Sequence, residues 1–522
     1  MRAGRPAGPV ALTAASWDRS LGCARPATRR RPTSGGARPE GPAVSFSLVS
    51  VLTLAPVYAL ALGLAVWLVR PPGDRVGRRD ARPGRNSAGL RPHLRTRAGR
   101  LRPRLRSRTR PRPRRWWTAV GVAAVVGAGA GALVSWWVGD VQAALDVPPT
   151  WVDRAWVSAL GAGLAVAVVA AVRGGAGRRV VAGLGVVVFA LSTGLAVNRD
   201  AGLFPTVGAL LGVSHVAPLT LPPAQHGVSA GDATTASGTL PAEWTPPAEL
   251  PRHGRLGSVV IPATDSHFRA RPALVWLPPA ALTADPPALP VVVALSGQGP
   301  GAAPENLVDA GHLDDQLDAL AAQHDGLAPI VVMPDQLGRP TSNPMCVDGE
   351  LGDSATWLTR DVPAWVTAHL DVQRSPAAWA IAGFSQGGTC SVQLATGHPD
   401  VFGSFVDVSG QLGPLLDGGV DRTIARGFDG SRAAYDAAQP VAVMRAHGRY
   451  ADLGGFFAVG ADDSRYGPVQ PVVSAAAQAA GIDVTRLTVP GSGHDWHTAS
   501  VGLAAGLRWL WPRLGLGAVV GG

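Results

Sequence analysis

Long apolar runs dominate the first two hundred residues of the chain. Four of them reach the roughly 17–25 residues that a helix needs to cross a bilayer, and none contains a charged side chain. These runs are Val44–Val69, Trp116–Val138, Trp156–Val172 and Val180–Val197. Only residues 173–179 separate the last two, which predicts a tight helical hairpin. The pattern therefore predicts a membrane region with four spans over residues 44–200.

A different pattern begins at residue 255 and continues to about residue 515. Short apolar runs, typical of buried strands, occur at Ser258–Pro262, Ala273–Leu277, Pro290–Leu295, Pro329–Met333, Ala378–Phe384, Ser404–Val408, Gly455–Val459 and Val484–Val489. Segments with helical periodicity occur at Asp353–His369, Gly387–Gly397, Val469–Ala480 and Thr498–Leu510. Alternation of apolar strands with helices predicts an α/β domain, with a mainly parallel sheet covered by helices on both faces.

Two further segments lack any steady apolar period. Residues 217–254 are rich in Pro, Thr, Ala, Gly and Ser, a composition typical of an extended spacer between domains. Residues 1–43 are rich in Arg, Pro and Gly and contain no signal-peptide core. Two interpretations of this tail stay open: a disordered basic segment, or a segment preceding a natural start at Val44.

Net charge changes sign along the chain. The total of +11 divides into 31 Arg against 8 acidic residues in 1–200 and 16 Arg against 28 acidic residues in 201–522. Residues 71–115 alone contain 17 Arg, opposed by Asp74 and Asp80. This run is either an arm for nucleic acid or anionic lipid, or a cytoplasmic loop. No aromatic residue is present for base stacking, so we favour the loop and exclude a nucleic-acid partner.

The topology follows from that loop. With residues 71–115 inside, four spans place everything after Asn198 on the extracytoplasmic side of the cell membrane. Membrane lipids are then the expected surroundings of the first region. No span carries an ionisable residue, which argues against a transporter.

The segment Gly383-Phe-Ser385-Gln-Gly387 carries the chemistry of the second region. It fits G-x-S-x-G, it follows an apolar strand and it precedes a predicted helix. That context is typical of a nucleophilic serine on a tight strand-to-helix turn, where small neighbours are required on both sides. The helix N-terminus favours developing negative charge beside the serine.

A serine nucleophile needs a histidine base and an acid that orients it, in the chain order Ser, acid, His. The last predicted strand ends in a glycine-rich loop with His494 and His497, and we prefer His494 because it directly follows the turn. Asp462 and Asp463 end the preceding strand. Asp463 is the preferred acid and Asp462 the alternative.

The oxyanion hole requires two backbone N–H donors. One is the amide of Gln386, directly after the nucleophile, and the second is expected from the glycine-rich loop after the third strand, at Gln298 or Gly299.

Four pieces of the chain together resemble the esterase family of α/β-hydrolases, which includes esterase D, the enterochelin esterases and the secreted mycolyltransferases. They are the loop 297–301, Gly383–Gly388 with His398–Phe402, Gly460–Asp463 and Gly493–Trp496. The resemblance covers roughly residues 256–512 and implies an α/β-hydrolase fold and serine hydrolase activity. Many relatives have His-Gly where this chain has Ser296-Gly297.

Cys346 and Cys390 fall in the extracytoplasmic region, where an even pair favours a disulfide over two buried thiols. No Cys/His cluster has metal-ligand spacing, so neither a metal nor another cofactor is expected. The sequence predicts a membrane-anchored serine esterase or acyltransferase acting on an ester or acyl-lipid substrate, such as a cell-envelope lipid. The alternative is a catalytically silent binding protein on a hydrolase scaffold. Oligomeric state, and hydrolysis against acyl transfer, stay open.

Overall fold

The computed structural model describes residues 11–13, 46–72, 113–142, 149–202, 204–211, 213–221, 240–299, 301–339 and 342–518. Most of the predicted tail 1–43, most of the arginine loop 71–115 and the middle of the predicted spacer lie outside these ranges. Two compact units are present. The helical unit lies within residues 55–135 and 154–194, and the sheet unit contains the remaining described residues.

All four predicted spans are helical. The helices are α1 (Val51–Val69), α2 (Pro113–Trp136), α3 (Trp151–Arg173) and α4 (Ala176–Ala201). Each is long and apolar enough to cross a membrane, and α2 continues as a π-helical turn, Trp137–Val141. Two residues separate α3 from α4, as the predicted hairpin requires.

The first helix begins seven residues later than the apolar run predicts. Residues before it pair with the segment that follows α4: the N–H of Leu48 donates to the carbonyl of Pro205, and the N–H of Val207 donates to the carbonyl of Phe46. The hydroxyl of Ser47 accepts a hydrogen bond from the N–H of Ser50 at 3.1 Å. The hydrophobicity of the sequence does not predict these hydrogen bonds, which determine that α1 starts at Val51.

Small residues allow α2 and α3 to pack closely within the helical unit. A Cβ added to Gly127 would lie 2.3 Å from the carbonyl oxygen of Gly161, and one added to Gly131 would lie 2.5 Å from the carbonyl oxygen of Val157. The Gly127-x-x-x-Gly131 spacing is therefore used for helix packing.

The C-terminal end of α1 is closed by two side chains from other helices. The indole N–H of Trp116 donates to the carbonyl of Val69 at 2.8 Å, and the guanidinium of Arg178 donates to the carbonyl of Leu68 at 2.6 Å. The Arg178 guanidinium also lies over the rings of Trp67 and Trp116, at 5.0 and 4.7 Å from the ring centroids. These contacts satisfy carbonyls that a helix end leaves without intrahelical partners.

The sheet unit contains the predicted α/β sheet. Its strands are β1 (Ala11–Thr13), β2 (Arg255–Val259), β3 (Ala273–Leu277), β4 (Val291–Leu295), β5 (Ile330–Met333), β6 (Trp379–Phe384), β7 (Ser404–Val408), β8 (Gly454–Gly460) and β9 (Asp483–Val489). Their spatial order is β1-β9-β8-β7-β6-β4-β5-β3-β2. All pairs are parallel except β2–β3 and β3–β5, which are antiparallel. Strands β3 to β9 lie at their predicted positions to within one residue. Strand β2 begins three residues before the predicted Ser258–Pro262 and shares only Ser258 and Val259 with it, and β1 was not predicted.

Helices of the sheet unit connect and cover these strands. They are α5 (Val207–Leu210), α6 (Leu240–Glu243), α7 (Glu305–Asp309), α8 (Leu313–Gln323), α9 (Ser354–Thr356), α10 (Val362–His369), α11 (Gln386–Gly397), α12 (Val420–Gly427), α13 (Arg432–Ala437), α14 (Pro440–His447), α15 (Val469–Ala479) and α16 (Trp496–Arg513). A π-helical turn, Trp357–Asp361, joins α9 to α10, so the predicted helix Asp353–His369 is one interrupted element.

Side chains of β7 show that α11 and α16 lie on opposite faces of the sheet. A Cβ added to Gly388 of α11 would meet the carboxylate of Asp407, whereas Cβ atoms added to Gly502 and Gly506 of α16 would meet Val408 and Val406. Alternate residues of a strand point to opposite faces. The sheet is therefore covered on both sides, as its continuously apolar strands predict.

The predicted spacer 217–254 differs from expectation at both described ends. Ala217 and Leu219 exchange backbone hydrogen bonds with Ser258 of β2, and Leu219 packs against the hydrophobic core of the sheet unit. Trp244 packs against the same core, and its indole N–H donates to the carbonyl of Asp325 at 3.0 Å. Backbone hydrogen bonds and partly buried apolar side chains therefore attach these residues to the sheet unit, and residues 222–239 of the predicted spacer lie outside the described ranges.

A buried carboxyl group lies beneath α11. Asp407 is 5% exposed, and its Oδ1 accepts the N–H of Gly410 at 2.8 Å. Burial raises the pKa of Asp407 from 3.8 to about 7, although the hydrogen bond from Gly410 opposes the rise. Neither Gly388 nor Gly410 has room for a Cβ beside this carboxyl. The protonated form is therefore the one that the folded domain favours at mildly acidic pH.

We expect Asp407→Asn to flatten the dependence of stability on pH. Because the folded state holds the proton of Asp407 more tightly than the unfolded state does, the proton contributes to the free energy of unfolding. This contribution is complete below about pH 4 and is lost as pH rises toward 7, by at most ~1.4 kcal/mol per pH unit. The amide keeps an oxygen for the N–H of Gly410 and never ionises. Denaturant unfolding of both proteins between pH 4 and 8 should show the variant gaining relative to the wild type as pH rises. A constant difference between the two proteins over that range would contradict the assignment.

Candidate active site

Ser385 occupies the strained turn between β6 and α11. Its backbone lies at φ 57° and ψ −120°, a region that residues with a side chain rarely adopt. The N–H of Ser385 donates to the carbonyl of Val408 at 2.8 Å, which ties the turn to the end of β7. The side chain therefore lies at the carboxyl edge of the parallel strands.

Two glycines make this turn sterically feasible. A Cβ added to Gly383 would lie 2.3 Å from the carbonyl carbon of Gly387, and one added to Gly387 would lie 2.4 Å from the carbonyl oxygen of Ser296. Any side chain at either position would force the backbone apart. The G-x-S-x-G pattern is thus explained by the close approach of β6, α11 and the loop after β4.

His494 joins Ser385 to Asp463 through two hydrogen bonds. Its Nε2 lies 2.9 Å from the Oγ of Ser385, and its Nδ1 lies 3.0 Å from the Oδ2 of Asp463. The side chain of His494 is only 5% exposed. His497 is exposed on the first turn of α16, so of the two candidate histidines His494 is the one that contacts the serine.

The loop that carries His494 is fixed by the first turn of α16. The carboxylate of Asp495 accepts hydrogen bonds from the N–H of Thr498 at 2.8 Å, the N–H of Gly493 at 3.0 Å and the hydroxyl of Ser492. Burial opposes ionisation of Asp495, but these three hydrogen bonds lower its pKa below the ordinary value. Asp495 therefore stays ionised as the N-cap of the helix and holds both sides of His494.

Asp463 and Asp462 differ in environment. Asp463 is buried, and its Oδ1 accepts the N–H groups of Tyr466 at 2.8 Å and Arg465 at 3.2 Å. Burial alone would raise its pKa, but the hydrogen bond and charge of His494, together with these N–H groups, lower the pKa of Asp463 below the ordinary value. Asp462 is exposed, and the structure brings Asp463 to His494 instead.

Aromatic rings enclose the imidazole. The ring of Phe384 stacks on His494 with centroids 4.9 Å apart, and the ring of Tyr466 lies 4.7 Å away on a tilted plane. Trp496 packs against Phe384 in turn. These rings exclude water from the imidazole and restrict its orientation. Only tertiary contact reveals their role, because Phe384 occupies a variable position of the G-x-S-x-G motif and Tyr466 lies outside any sequence motif for catalysis.

The predicted oxyanion loop lies beside the serine. An ideal Cβ on Gly297 would be 3.4 Å from the Cβ of Ser385, and Gly299 has a positive φ of 107° that suits glycine. Gln298 is held by the side-chain amide of Asn343, whose Nδ2 donates to its Oε1 at 2.6 Å. The structure thus brings Gln298 and Gly299 to the same edge of the sheet as Ser385.

A network of side-chain amides supports Gln386. Its Oε1 accepts the Nε2 of Gln336 at 3.1 Å, and its Nε2 donates to the Oδ1 of Asn343 at 3.3 Å. Gln336 also donates to the carbonyl of Ser296 at 2.6 Å, which connects the oxyanion loop to the first residue of α11. Gln336 and Asn343 were not predicted, since no local spacing marks residues that support a turn from other loops.

The predicted disulfide is present in the structure. Cys346 and Cys390 are bonded, with their Cα atoms 5.6 Å apart. The bond fastens the loop that contains Asn343 to the helix that begins after Ser385. Within the described ranges, no group of three or more His, Cys, Asp and Glu side chains is placed to hold a metal ion.

Comparisons with known proteins find matches that cover about half of the chain. A Corynebacterium glutamicum protein described as uncharacterised is 35% identical over 257 residues, which are 48% of this chain and 59% of that protein. This chain therefore spans less than two thirds of its relative. Among solved structures, a ferulic acid esterase matches 50% of this chain and 99% of its own at 18% identity, with a TM-score of 0.41. The S-formylglutathione hydrolase of Agrobacterium tumefaciens matches 51% and 97% at 20% identity, with a TM-score of 0.42.

A family model described as "Putative esterase" matches residues 268–502. This range begins just before β3 and ends within α16, so it contains the turn at Ser385 and the loops of Asp463 and His494. The segment 268–502 belongs to the esterase family of α/β-hydrolases.

Proposed function

We propose that the chain is a membrane-anchored serine esterase or acyltransferase whose catalytic domain is extracytoplasmic. The observation that carries the proposal is the continuous hydrogen-bonded series from Ser385 through His494 to Asp463, at 2.9 and 3.0 Å. A nucleophile, a base and an orienting carboxylate in this geometry form an acyl-transfer site. The match of residues 268–502 to the esterase family supports the same chemistry.

In the first half-reaction Ser385 takes the acyl group of the substrate. As its Oγ attacks the ester carbonyl carbon, Nε2 of His494 accepts the hydroxyl proton. The carboxylate of Asp463 holds Nδ1 protonated and stabilises the imidazolium that forms. Collapse of the tetrahedral intermediate breaks the ester bond, and the leaving alkoxide takes the proton from His494. The product is an acyl-Ser385 ester.

The oxyanion is stabilised by backbone N–H groups at the start of α11 and in the loop after β4. Gln386 supplies one donor, and Gln298 or Gly299 supplies the second. The amide network around Gln336 and Asn343 supports this assignment, because it fixes both segments before substrate binds. Preorganised donors of this kind lower the barrier more than donors that must reorient.

The second half-reaction decides the product. His494 removes a proton from water or from a sugar or lipid hydroxyl, the resulting oxygen attacks the acyl-enzyme, and Ser385 regains its proton from His494. Water as the nucleophile gives hydrolysis, and an alcohol gives acyl transfer.

The proposal of membrane anchoring rests on the four apolar helices and on the positive charge between the first two. Each helix has a mean hydropathy between 1.8 and 2.3 over its best window. The arginine-rich residues 71–115 between α1 and α2 favour the cytoplasm. Residues 46–48 pair with residues 205–207, so the start of α1 and the segment after α4 lie together, as an even number of crossings requires. The Cys346–Cys390 disulfide also favours an oxidising, extracytoplasmic compartment.

A substrate drawn from the membrane is supported by the segment that directly follows α4. A Cβ on Gly202 would lie 3.0 Å from the indole of Trp496, two residues after His494. A Cβ on Gly301, in the oxyanion loop, would lie 2.1 Å from the ring of Phe204. Gly202 and Phe204 of the sheet unit thus lie against the rim of the site. We therefore propose an acyl lipid of the membrane or cell envelope as the ester substrate.

A fluorophosphonate probe tests the nucleophile. We expect the wild-type protein to be labelled and Ser385→Ala to be unlabelled, because the probe phosphonylates only an activated serine. Ser409→Ala is the matched control: Ser409 is also buried with positive φ, at the end of the neighbouring strand β7, and should leave labelling intact. Absence of wild-type labelling, or equal labelling of Ser385→Ala, would favour the catalytically silent scaffold.

Asp462 and Asp463 are adjacent, so replacing each in turn tests which carboxylate orients His494. Asp463→Asn should lower kcat/KM on an activated ester roughly 10²–10⁴-fold, because the amide no longer holds the required histidine tautomer. Asp462→Asn should stay within about threefold of the wild type, since Asp462 is exposed and the carboxylate that contacts His494 is that of Asp463. Steady-state kinetics of both variants decides the assignment, and the reverse order of effects would reject it.

Alkaline phosphatase, which becomes active only after export, tests the topology in cells. We expect a fusion after residue 254 to be active and a fusion within the arginine-rich loop, at residue 95, to be inactive. Activity at residue 95 with none at residue 254 would place the catalytic domain in the cytoplasm.

A further inference from the structure

A cleft of about 660 Å³ opens directly beside the predicted oxyanion loop. Gln298, Gly299, Gly301 and Asn343 are among the residues that line it. Asn343 is hydrogen-bonded to Gln298 and also contacts the side chain of Gln386, the residue after the nucleophile. The cleft is therefore continuous with the groups that surround Ser385.

The position of the residues that line the cleft is fixed by an ion pair between Arg271 and Asp335. Asp335 is 1% exposed, and its carboxylate accepts the guanidinium of Arg271 at 2.8 Å and the N–H groups of Leu337 and Gly338. Arg271 also donates to the carbonyl of Ala302, just after Gly301. These bonds hold the turn before Arg339 and the segment after Gly301 at fixed positions, so the cleft is preformed.

Three arginines give the cleft a positive charge. Arg422 and Arg426 lie on consecutive turns of α12 and so share one helix face, and Arg339 reaches the cleft from the turn after β5. All three are exposed, and within the described residues none of them is in an ion pair. One carboxylate, Asp417, lines the same cleft. Three cations against one anion are unusual here, because residues 201–522 together have a net charge of −12.

The remaining lining suits an amphiphilic molecule. Leu337, Leu351 and Leu416 contribute apolar surface. The Nε2 of Gln298 is buried and has no hydrogen-bond partner among the described residues, a cost that a bound acceptor would remove. The cleft thus offers cations, an unused donor and apolar contacts beside the predicted oxyanion loop.

We propose that Arg339, Arg422 and Arg426 form a subsite for an anionic group, a carboxylate or phosphate, carried by the ester substrate. The proposal deepens the proposed esterase function and rests on it. Guanidinium groups bind planar or tetrahedral oxyanions through paired N–H donors, which makes arginine well suited to this task. A substrate bound in this way has its anionic end at α12 and its ester carbonyl at the oxyanion loop.

Two activated esters that differ in one group test the subsite. The p-nitrophenyl monoester of glutaric acid ends in a carboxylate, and p-nitrophenyl pentanoate ends in a methyl group on an acyl chain of equal length. For the full chain in neutral detergent, we expect kcat/KM to be higher for the glutarate ester. Arg422→Gln combined with Arg426→Gln should lower that preference roughly tenfold, mainly through KM, and leave the pentanoate ester within about twofold.

The control is Arg445→Gln, which removes an exposed arginine of α14 outside the cleft. It should keep the wild-type preference, which separates a local subsite from a general effect of charge. An equal loss for both esters in the double variant, or a wild-type enzyme that does not prefer the glutarate ester, would overturn the proposal.

Competition experiments identify the source of the anion. Inorganic phosphate and vesicles of phosphatidylglycerol are each added during hydrolysis of the pentanoate ester, with phosphatidylcholine vesicles as the net-neutral match. Inhibition by phosphatidylglycerol alone indicates a lipid headgroup, and inhibition by phosphate as well indicates that a free anion is sufficient. Inhibition by neither would count against the subsite.

Binding to Ser385→Ala separates failure of the subsite from failure of the proposed function. If the wild type hydrolyses neither ester, the esterase proposal fails. Calorimetric titration of Ser385→Ala with the glutarate ester then still tests the arginines. Binding that disappears when Arg422 and Arg426 are also replaced by Gln supports the anion subsite, and no binding rejects it.

Discussion

The tight backbone approach around Ser385 is the constraint on which the site depends. The turn places a residue with a side chain at positive φ, which costs on the order of 1–3 kcal/mol and persists only where surrounding contacts enforce it. Those contacts are present: the N–H of Ser385 is bonded to the end of β7, and Gly387 lies against the carbonyls that end β4. Three parallel strands therefore determine the position of one hydroxyl group.

Several features of the sheet unit follow from this constraint. Because α11 must start immediately after Ser385 and lie close to β7, its third residue is Gly388, and the neighbouring Asp407 becomes buried beneath it. The disulfide between Cys346 and Cys390 then ties the same helix to the loop that carries Asn343. Because α11 is fixed on both sides, the turn that precedes it cannot relax easily. Ser385 therefore keeps its orientation before any substrate is bound.

The sequence predicted those parts that local pattern determines. Strands β3 and β7 have the predicted bounds, and the other six predicted strands differ by a few residues at most, because continuous apolar runs mark buried parallel strands well. Ser385, His494 and Asp463 were identified because their motifs occur at strand ends in a fixed order. In contrast, α5–α8 and α12–α14 were missed. All of these except α8 have eight residues or fewer, whereas the apolar spacing of Leu313, Leu317 and Leu320 in α8 is regular and was overlooked. Gln336, Asn343 and Tyr466 act through contacts between distant loops, which spacing along the chain does not reveal.

The arginines have different proposed roles in the two parts of the molecule. In the proposed topology, the arginine-rich residues 71–115 act through their number rather than their positions. The arginines of α12 occur in an acidic region, and the two lie on one helix face in a cleft that Arg339 and Gln298 also line. Asn343 contacts both Gln298 and Gln386, and therefore connects the wall of this cleft with the residue that follows the nucleophile. Since one side chain borders both places, the same loop would position both the anionic group and the ester carbonyl of the proposed substrate.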